Sequence, residues 1–515
     1  MSRRAVAWRL AAALGVVLAT HAAADEPPGS PCTPEEIDRA LATEQARLGI
    51  EASGSAAPGA FARRLALDAW GTLPDPARLA QAQQGVAAHE RAAWVAAAVA
   101  DPRFVTHAAE RLGQAWWPVG PGDDANVRLL REDFVGWLER ELRAGVGLDV
   151  LAAEVLGGEG TTDRDPALSF LVKFGASGAA DAAGPVTRRF LGLSWDCARC
   201  HDHPFGDATQ ADFHGVAAFF GRLRVRPTPN RPLVFRVSEA PLGDHRATLG
   251  GADGAHTLVV PAFPGGKRLT GGAAPQRAIE TSRRAAFARW LTDRENPYFA
   301  AAQVNRVWGE LFGRPLVAPV DELDLAPDDA HRRLLAQVAE GFARSGYSLP
   351  WLYRTLFSTE AYARPLLGTP DADERARAFA AASPRPLPRA TRARMLLRVV
   401  GREAPAPGEF PRLRAALVER VRALFAEEDA SGALLPSQAL VQLSDPGLLA
   451  LLRGARSHYP GEPAELLSRI TWTAFGRDPS PAERRALLPA LRSGERGFAD
   501  VLWAVVSSSE FGSNH

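Results

Sequence analysis

From Phe61 onward the apolar residues of this chain recur every three or four positions, the period of a helix with one buried face. Phe61, Leu65 and Asp68-Ala69 share such a face, and a Gly71-Thr72-Leu73-Pro74 break follows. The spacing predicts further helices over 87–99 and 104–117, and Phe134, Trp137, Leu138, Glu141 and Leu142 form another stripe. Trp116 and Trp117 are expected in the core, as large aromatics usually are. Val186, Phe190 and Leu193 lie on one helical face. After Pro204, Thr209 reads as an N-cap with Asp212 three residues on. The helix it opens carries Phe213, Val216, Ala217, Phe220 and Leu223.

The pattern changes over 226–281, where Pro and Gly are frequent and apolar residues alternate. Leu233–Val237 and Thr257–Val260 are strand candidates there, and His245 and His256 are expected as exposed loop residues. Helical spacing resumes near Ser282 with Phe287, Trp290 and Leu291, and continues through Val304–Leu311, His331–Phe342 and Leu349–Phe357. Later stripes hold Met395, Leu396, Val399 and Val400, then Leu413, Leu417, Val421 and Leu424. The last helices fall near 466–472, 481–491 and 498–508. No fixed-period repeat stands out. The expected fold is mainly α: two helical domains, 59–225 and 282–515, joined by a small β-containing, Gly/Pro-rich connector at 226–281.

The N-terminus adds a compartment. Arg3 and Arg4 precede an apolar run from Ala5 to Thr20, and Ala22-Ala23-Ala24 gives a small-residue cleavage site. Residues 1–24 therefore read as a secretory signal peptide, and 25–58 as a flexible leader with one helix over Pro34–Leu48. No cysteine follows the run in a lipobox-like setting, and no later stretch has the length of a membrane span. The mature chain is expected outside the cytoplasm, in the periplasm or at the cell surface. Sixty basic against 59 acidic residues, a net charge of +1, argues against a dedicated nucleic-acid binder or a polybasic membrane protein.

Against this background the stretch Trp195-Asp196-Cys197-Ala198-Arg199-Cys200-His201-Asp202-His203-Pro204-Phe205 carries chemistry. It holds two of the three cysteines and two of the 11 histidines. Cys-x-x-Cys-His is the haem c attachment pattern: two thiols reach both vinyl groups, and the next imidazole becomes the proximal iron ligand. Three other readings stay open: a redox or structural disulfide, a zinc site completed by His203 and His214 or by distant ligands, and two thiols that merely pack. Export favours haem, which is attached outside the cytoplasm, and also permits a disulfide. For haem, His214, His331 and His515 are the candidate sixth ligands, with an open or water-bound position as the other outcome. Met395 lies on an apolar helix face and is expected in the core. Arg188 and Arg189 are candidates to pair with propionates. Cys32 has no evident partner, and neither a G-x-S-x-G elbow nor an H-E-x-x-H helix occurs.

The motif resembles a known family. Phe190-Leu191-Gly192-Leu193 leading into the Cys-x-x-Cys-His-Asp-His-Pro-Phe segment, then Thr209–Phe213 and Ala217-Ala218-Phe219-Phe220, resembles the planctomycete cytochrome-associated domain of unknown function. Arg63–Asp68 with Gly71 and Leu73-Pro74 looks like that domain's opening. Arg289–Thr292, Asn296–Phe299, Val304–Trp308 and Phe312-Gly313-Arg314 resemble the planctomycete-specific domain that usually follows it, as do Ser509-Glu510-Phe511 and Asn514-His515. The resemblance implies an exported protein without an assigned activity; many members carry a separate cytochrome-c-like domain, which this chain is not expected to have. Asp321-Glu322 stands where the family has paired aspartates after Val-x-Pro-Val, and His331 matches a family histidine at a helix start. The resulting expectation is one c-type haem on Cys197, Cys200 and His201, serving extracytoplasmic electron transfer to an unidentified redox partner. The alternative is a zinc-binding or disulfide-stapled interaction protein.

Overall fold

The computed structural model describes residues 32–514 apart from 85–87, 121, 251–255, 267–268, 270–281, 326, 328 and 402–445. The expected signal peptide, the helix expected over Leu413–Leu424, and His515 lie outside the described residues. Three helices start where the sequence supplies a side-chain cap followed by proline. Thr33 caps Pro34–Leu48 and is bonded in return by Glu36, Asp101 caps Pro102–Trp116, and Ser480 caps Pro481–Leu491. The cap satisfies a free N–H, and the proline removes one that would have had no partner. Among the described residues the chain is mainly α, and its sheets have only two or three strands. No described helix is long and apolar enough to cross a membrane.

The first sheet is antiparallel, in the order β1 (Gly160–Thr161), β3 (Phe235–Glu239), β2 (Leu223–Pro227). A hairpin of β4 (His245–Thr248) and β5 (His256–Val259) follows, so His245 and His256 lie on strands and not in loops. β6 (Arg385–Pro386) pairs with β7 (Ser513–Asn514), joining residues far apart in sequence.

Packing departs from the sequence reading at two places. From Cys32 on, the stretch expected as a loose leader is docked: Cys32 and Ile37 are fully buried, and Gln45 donates to the Ala378 carbonyl at 2.8 Å. The Ile37/Leu41 stripe belongs to the same core as the Ala330–Arg344 helix, and the Asp38 carboxylate accepts the N–H groups of Glu360 and Ala361. The cores also do not divide at 226–281. One continuous core runs from Cys32 to Phe379; in it Trp116 donates to Gln303 at 3.0 Å and Phe263 of the connector stacks on Trp290. A second core gathers residues from Leu387 to Phe511 and takes in Leu67 and Leu73. Periodicity tells which face of a helix is apolar and leaves open which helix it meets.

One helix, Pro58–Trp70, bridges the two cores. Buried Arg63 donates to the carbonyls of Ala474, Glu510 and Ser513 in the C-terminal part, while Arg64 donates to those of Tyr362 and Arg364. One turn on, Asp68 accepts both guanidinium arms of Arg385 (3.0 and 2.8 Å), the Tyr362 hydroxyl (2.7 Å) and the Asn514 amide (2.9 Å). A small polar cavity beside it is lined by Asp68, His107, Arg111, Glu310, Tyr353 and Asn514, among others. Removing one partner of a buried ion pair leaves the other charge uncompensated, which costs about 3–5 kcal/mol. Asp68→Ala is expected to lose stability on that scale, and Tyr362→Phe about 1 kcal/mol, one hydrogen bond's worth. Urea melts followed by intrinsic fluorescence measure both; an Asp68→Ala midpoint equal to the parent's would contradict the bridging role.

Candidate functional site

The motif is delivered by a helix that loosens as it ends. Pro185 sits inside Ala179–Val186, and the chain then widens into a π turn over Thr187–Leu191. Proline removes one ladder hydrogen bond, and π turns take up such a break. Gly192 closes the turn at φ 67°, a left-handed conformation; a Cβ there would also lie 2.8 Å from the Leu323 side chain. A short 3₁₀ turn, Trp195–Arg199, carries Cys197, and its Cys197 carbonyl accepts the N–H groups of Cys200 (3.2 Å) and His201 (3.4 Å). The expected N-cap is present: Thr209 and Asp212 bond reciprocally at the start of Gln210–Ala217.

A loop from the second half of the chain supports this segment from beneath. Leu193 forms a β-bridge with Glu322, Leu323 donates its N–H to the Gly192 carbonyl at 3.0 Å, and Trp195 donates its indole N–H to Asp324 at 2.8 Å. Arg306 donates to the carbonyls of Arg188 and Arg189 and pairs with Asp321. Asp321 and Glu322 thus act as braces for the motif. Arg188 is paired with Asp196, and Arg189 donates to the Trp116 carbonyl with its guanidinium over the Phe174 ring. Trp116 and Trp117 are fully buried, as expected.

The far side of the loop is clamped by the following helix and hairpin. Gln210 donates its side-chain amide to the Cys200 carbonyl at 2.6 Å and its N–H to Asp202 at 2.8 Å, while its amide oxygen accepts the Gly250 N–H. His214 binds the Arg199 carbonyl through Nε2 at 3.1 Å and meets His245 Nε2 through Nδ1 at 2.9 Å. A carbonyl can only accept, so His214 carries its proton on Nε2, and its Nδ1 accepts from His245. The two rings stack at 5.1 Å. His245, Gln210 and Asp324 were not foreseen as part of the site. Only Gln210 left a trace in the sequence, as the residue after the Thr209 cap.

Cys197, Cys200 and His201 are exposed, and both thiols are free. His201 Nδ1 lies 2.8 Å from the Asp202 carbonyl, which fixes the proton on Nδ1 and turns the Nε2 lone pair outward, the tautomer a metal-ligating histidine adopts. His203 Nδ1 accepts the Phe205 N–H at 3.3 Å. In this arrangement neither the His203 nor the His214 ring has a free lone pair. Among the described residues no three His, Cys, Asp or Glu side chains come close enough to share one ion. Divergent ligands are compatible with a porphyrin, where the vinyl carbons and the iron are separate points of attachment. His331 is not brought to the motif: it packs edge-on to Phe379 near Glu44, and its buried Nε2 has no hydrogen-bond partner among the described residues. Met395 is fully buried in the second core. Cys32 is buried too, which pushes its thiol up to about 12.

Burial lowers the basicity of both stacked histidines. Desolvation, reinforced by His214, takes His245 from 6.5 down to about 4, and desolvation likewise lowers His214. The unfolded chain therefore binds more protons than the folded one once the pH falls below about 6.5, so stability drops from there towards pH 4 and is fully present above. His245→Gln keeps a donor for His214 Nδ1 and does not titrate. Thermal melts across that window are expected to show a smaller acid loss for His245→Gln than for the parent; parallel curves would contradict the pairing.

Residues 36–225 match PSCyt2, a protein of unknown function (DUF1549), and residues 283–411 match PSD1, a protein of unknown function (DUF1553). No curated protein and no solved structure matches the chain. The bracing loop with Asp321, Glu322 and Asp324 falls in the second matched stretch and the Cys-x-x-Cys-His loop in the first. The two stretches are thus joined at the motif. The chain carries a PSCyt2 domain over residues 36–225 followed by a PSD1 domain over residues 283–411.

Proposed function

We propose that this chain is an exported redox protein that carries one c-type haem on Cys197, Cys200 and His201 and exchanges single electrons with a partner protein. The observation that supports the reading is the disposition of the three residues: two free, exposed thiols beside an imidazole whose Nδ1–H is held by a carbonyl and whose Nε2 faces out. The group would supply one-electron chemistry at its iron. The protein's part is to hold the ligands still. Gln210 fixes the Cys200 carbonyl, His214 the Arg199 carbonyl, and Asp324 the Trp195 ring. The Asp202 carbonyl orients His201 and raises the basicity of its free nitrogen. His214 is committed to hydrogen bonds and Met395 lies in the second core, so neither would serve as a further ligand to the iron.

Protein made in a host able to attach haem c is expected to keep its porphyrin through denaturation, and its reduced pyridine adduct should show the band of saturated vinyl groups. Cys197→Ser with Cys200→Ser should abolish covalent attachment, whereas His201→Ala should leave the thioethers and change the iron spectrum. Added imidazole or cyanide should shift the ferric Soret band. Stoichiometric zinc without porphyrin would overturn the proposal in favour of a metal-stapled interaction protein, whose stability would then fall with a chelator. Colourless, metal-free protein that gains two protons on reduction would favour a disulfide.

Export is part of the same proposal. The mature chain is expected to begin at Asp25 after cleavage behind Ala24, which intact-mass measurement on secreted protein reads directly. Met1 retained on material recovered outside the cytoplasm would contradict it.

A further inference from the structure

The small β1–β3–β2 sheet has an anomaly of charge. Antiparallel register sets Arg226 of β2 directly opposite Arg236 of β3, an arrangement in which like charges oppose pairing. Both are exposed, and among the described residues no hydrogen bond or ion pair reaches either guanidinium. Side chains alternate between the faces of a strand, so Arg224, Arg226, Arg236 and Ser238 share the outer face while Val225 and Val237 face the core. Arg224 curls back to the Gly221 and Leu223 carbonyls, leaving the opposed pair as the free charges of that face.

The excess is local, since the chain as a whole is almost neutral. Between residues 222 and 246 the arginines are 222, 224, 226, 231, 236 and 246, and the acids are Glu239 and Asp244 alone. Both acids are turned to the Arg283–Leu291 helix: Glu239 accepts Ser282 Oγ and the Arg283 N–H, and Asp244 pairs with Arg283 at 3.0 Å. Asp163, in the turn after β1, is taken by Arg231 at 3.0 Å. No carboxylate of the strands is left to neutralise Arg226 and Arg236.

We infer that this face is a docking site for an extended acidic segment of a partner protein, laid along β2. Three features fit that occupant. β2 is an outer strand of its sheet; because Pro227 has no N–H and the Leu223 carbonyl is taken by Arg224, a segment beside it is held by side chains and not by a full backbone ladder. Arg226 and Arg236 stand opposite each other on adjacent strands, so a carboxylate of a segment along β2 can bridge the two like charges. Planar guanidinium groups match carboxylates with paired hydrogen bonds. A nucleic acid would need a larger basic footprint, on the order of six to ten phosphate contacts. An anionic leaflet is held by clusters of about four to eight basic residues. The inference is independent of what occupies the cysteine motif.

The test is fluorescence anisotropy of the full mature protein with a short fluorescein-labelled peptide of alternating threonine and glutamate. Binding is expected, weakening with salt, and lost for the glutamine version of the peptide. Arg226→Ser with Arg236→Ser should weaken it about tenfold, equivalent to ~1.4 kcal/mol, with a melting temperature equal to or above the parent's because the repulsion is gone. Arg226→Glu, which creates an opposite-charge pair with Arg236, should abolish binding without lowering the melting temperature. The proposal fails if the glutamate peptide does not bind, because the arginines would then only guard an edge strand. It also fails if the double variant binds within twofold of the parent. Duplex DNA or phosphatidylserine vesicles that bind as tightly and through the same arginines would replace the acidic segment as occupant.

Discussion

The carboxylate of Asp68 sets the limits within which the rest of this molecule is arranged. It lies on the Pro58–Trp70 helix with little exposure and accepts hydrogen bonds from Arg385, Tyr362 and Asn514, which come from three distant parts of the sequence. A buried charge with fewer partners would cost several kcal/mol, so these segments must meet there or the fold loses its balance. Arg63 and Arg64, on the same helix, extend the constraint: each donates hydrogen bonds to backbone carbonyls on the side of a different core. Burial brings both guanidinium groups down to about 10, still charged at neutral pH. The two cores are therefore locked through polar contacts, which are directional, and not through apolar area alone.

That lock has a consequence for the motif. The cysteine loop belongs to the first half of the chain and its braces to the second, and both can be in place only when the halves share one core. The result is a rigid presentation of exposed groups: the backbone of Cys200, Arg199 and Gly192 is held from three directions, while the two thiols and His201 Nε2 face outward. Rigidity of supporting groups is what a cofactor ligand set requires.

Much of this was legible in the sequence. The Thr209 cap places a helix start because the physics of a free N–H is local. The strand candidates appear as β3 and β5 because alternation is local too. What stayed hidden is long-range. The Ile37/Leu41 stripe read as part of a leader because its partner helix lies some three hundred residues on. His245 read as a loop residue because only the β4–β5 hairpin brings it to His214. Asp68 did leave a signal, a charge at helical spacing from Phe61 and Leu65, and a buried charge on an apolar face announces a partner without naming it. At the motif, spacing indicated the thiols and His201. It gave nothing on the hydrogen bonds that commit His203 and His214.

In the proposed function Cys197 and Cys200 are points of covalent attachment. Peptide mass spectrometry on protein recovered from a haem c-competent host addresses it directly. One haem per chain is expected, joined through both thiols to the single peptide that contains Cys197, Cys200 and His201. Recovery of that peptide with both thiols unmodified, or joined only to each other, would contradict it.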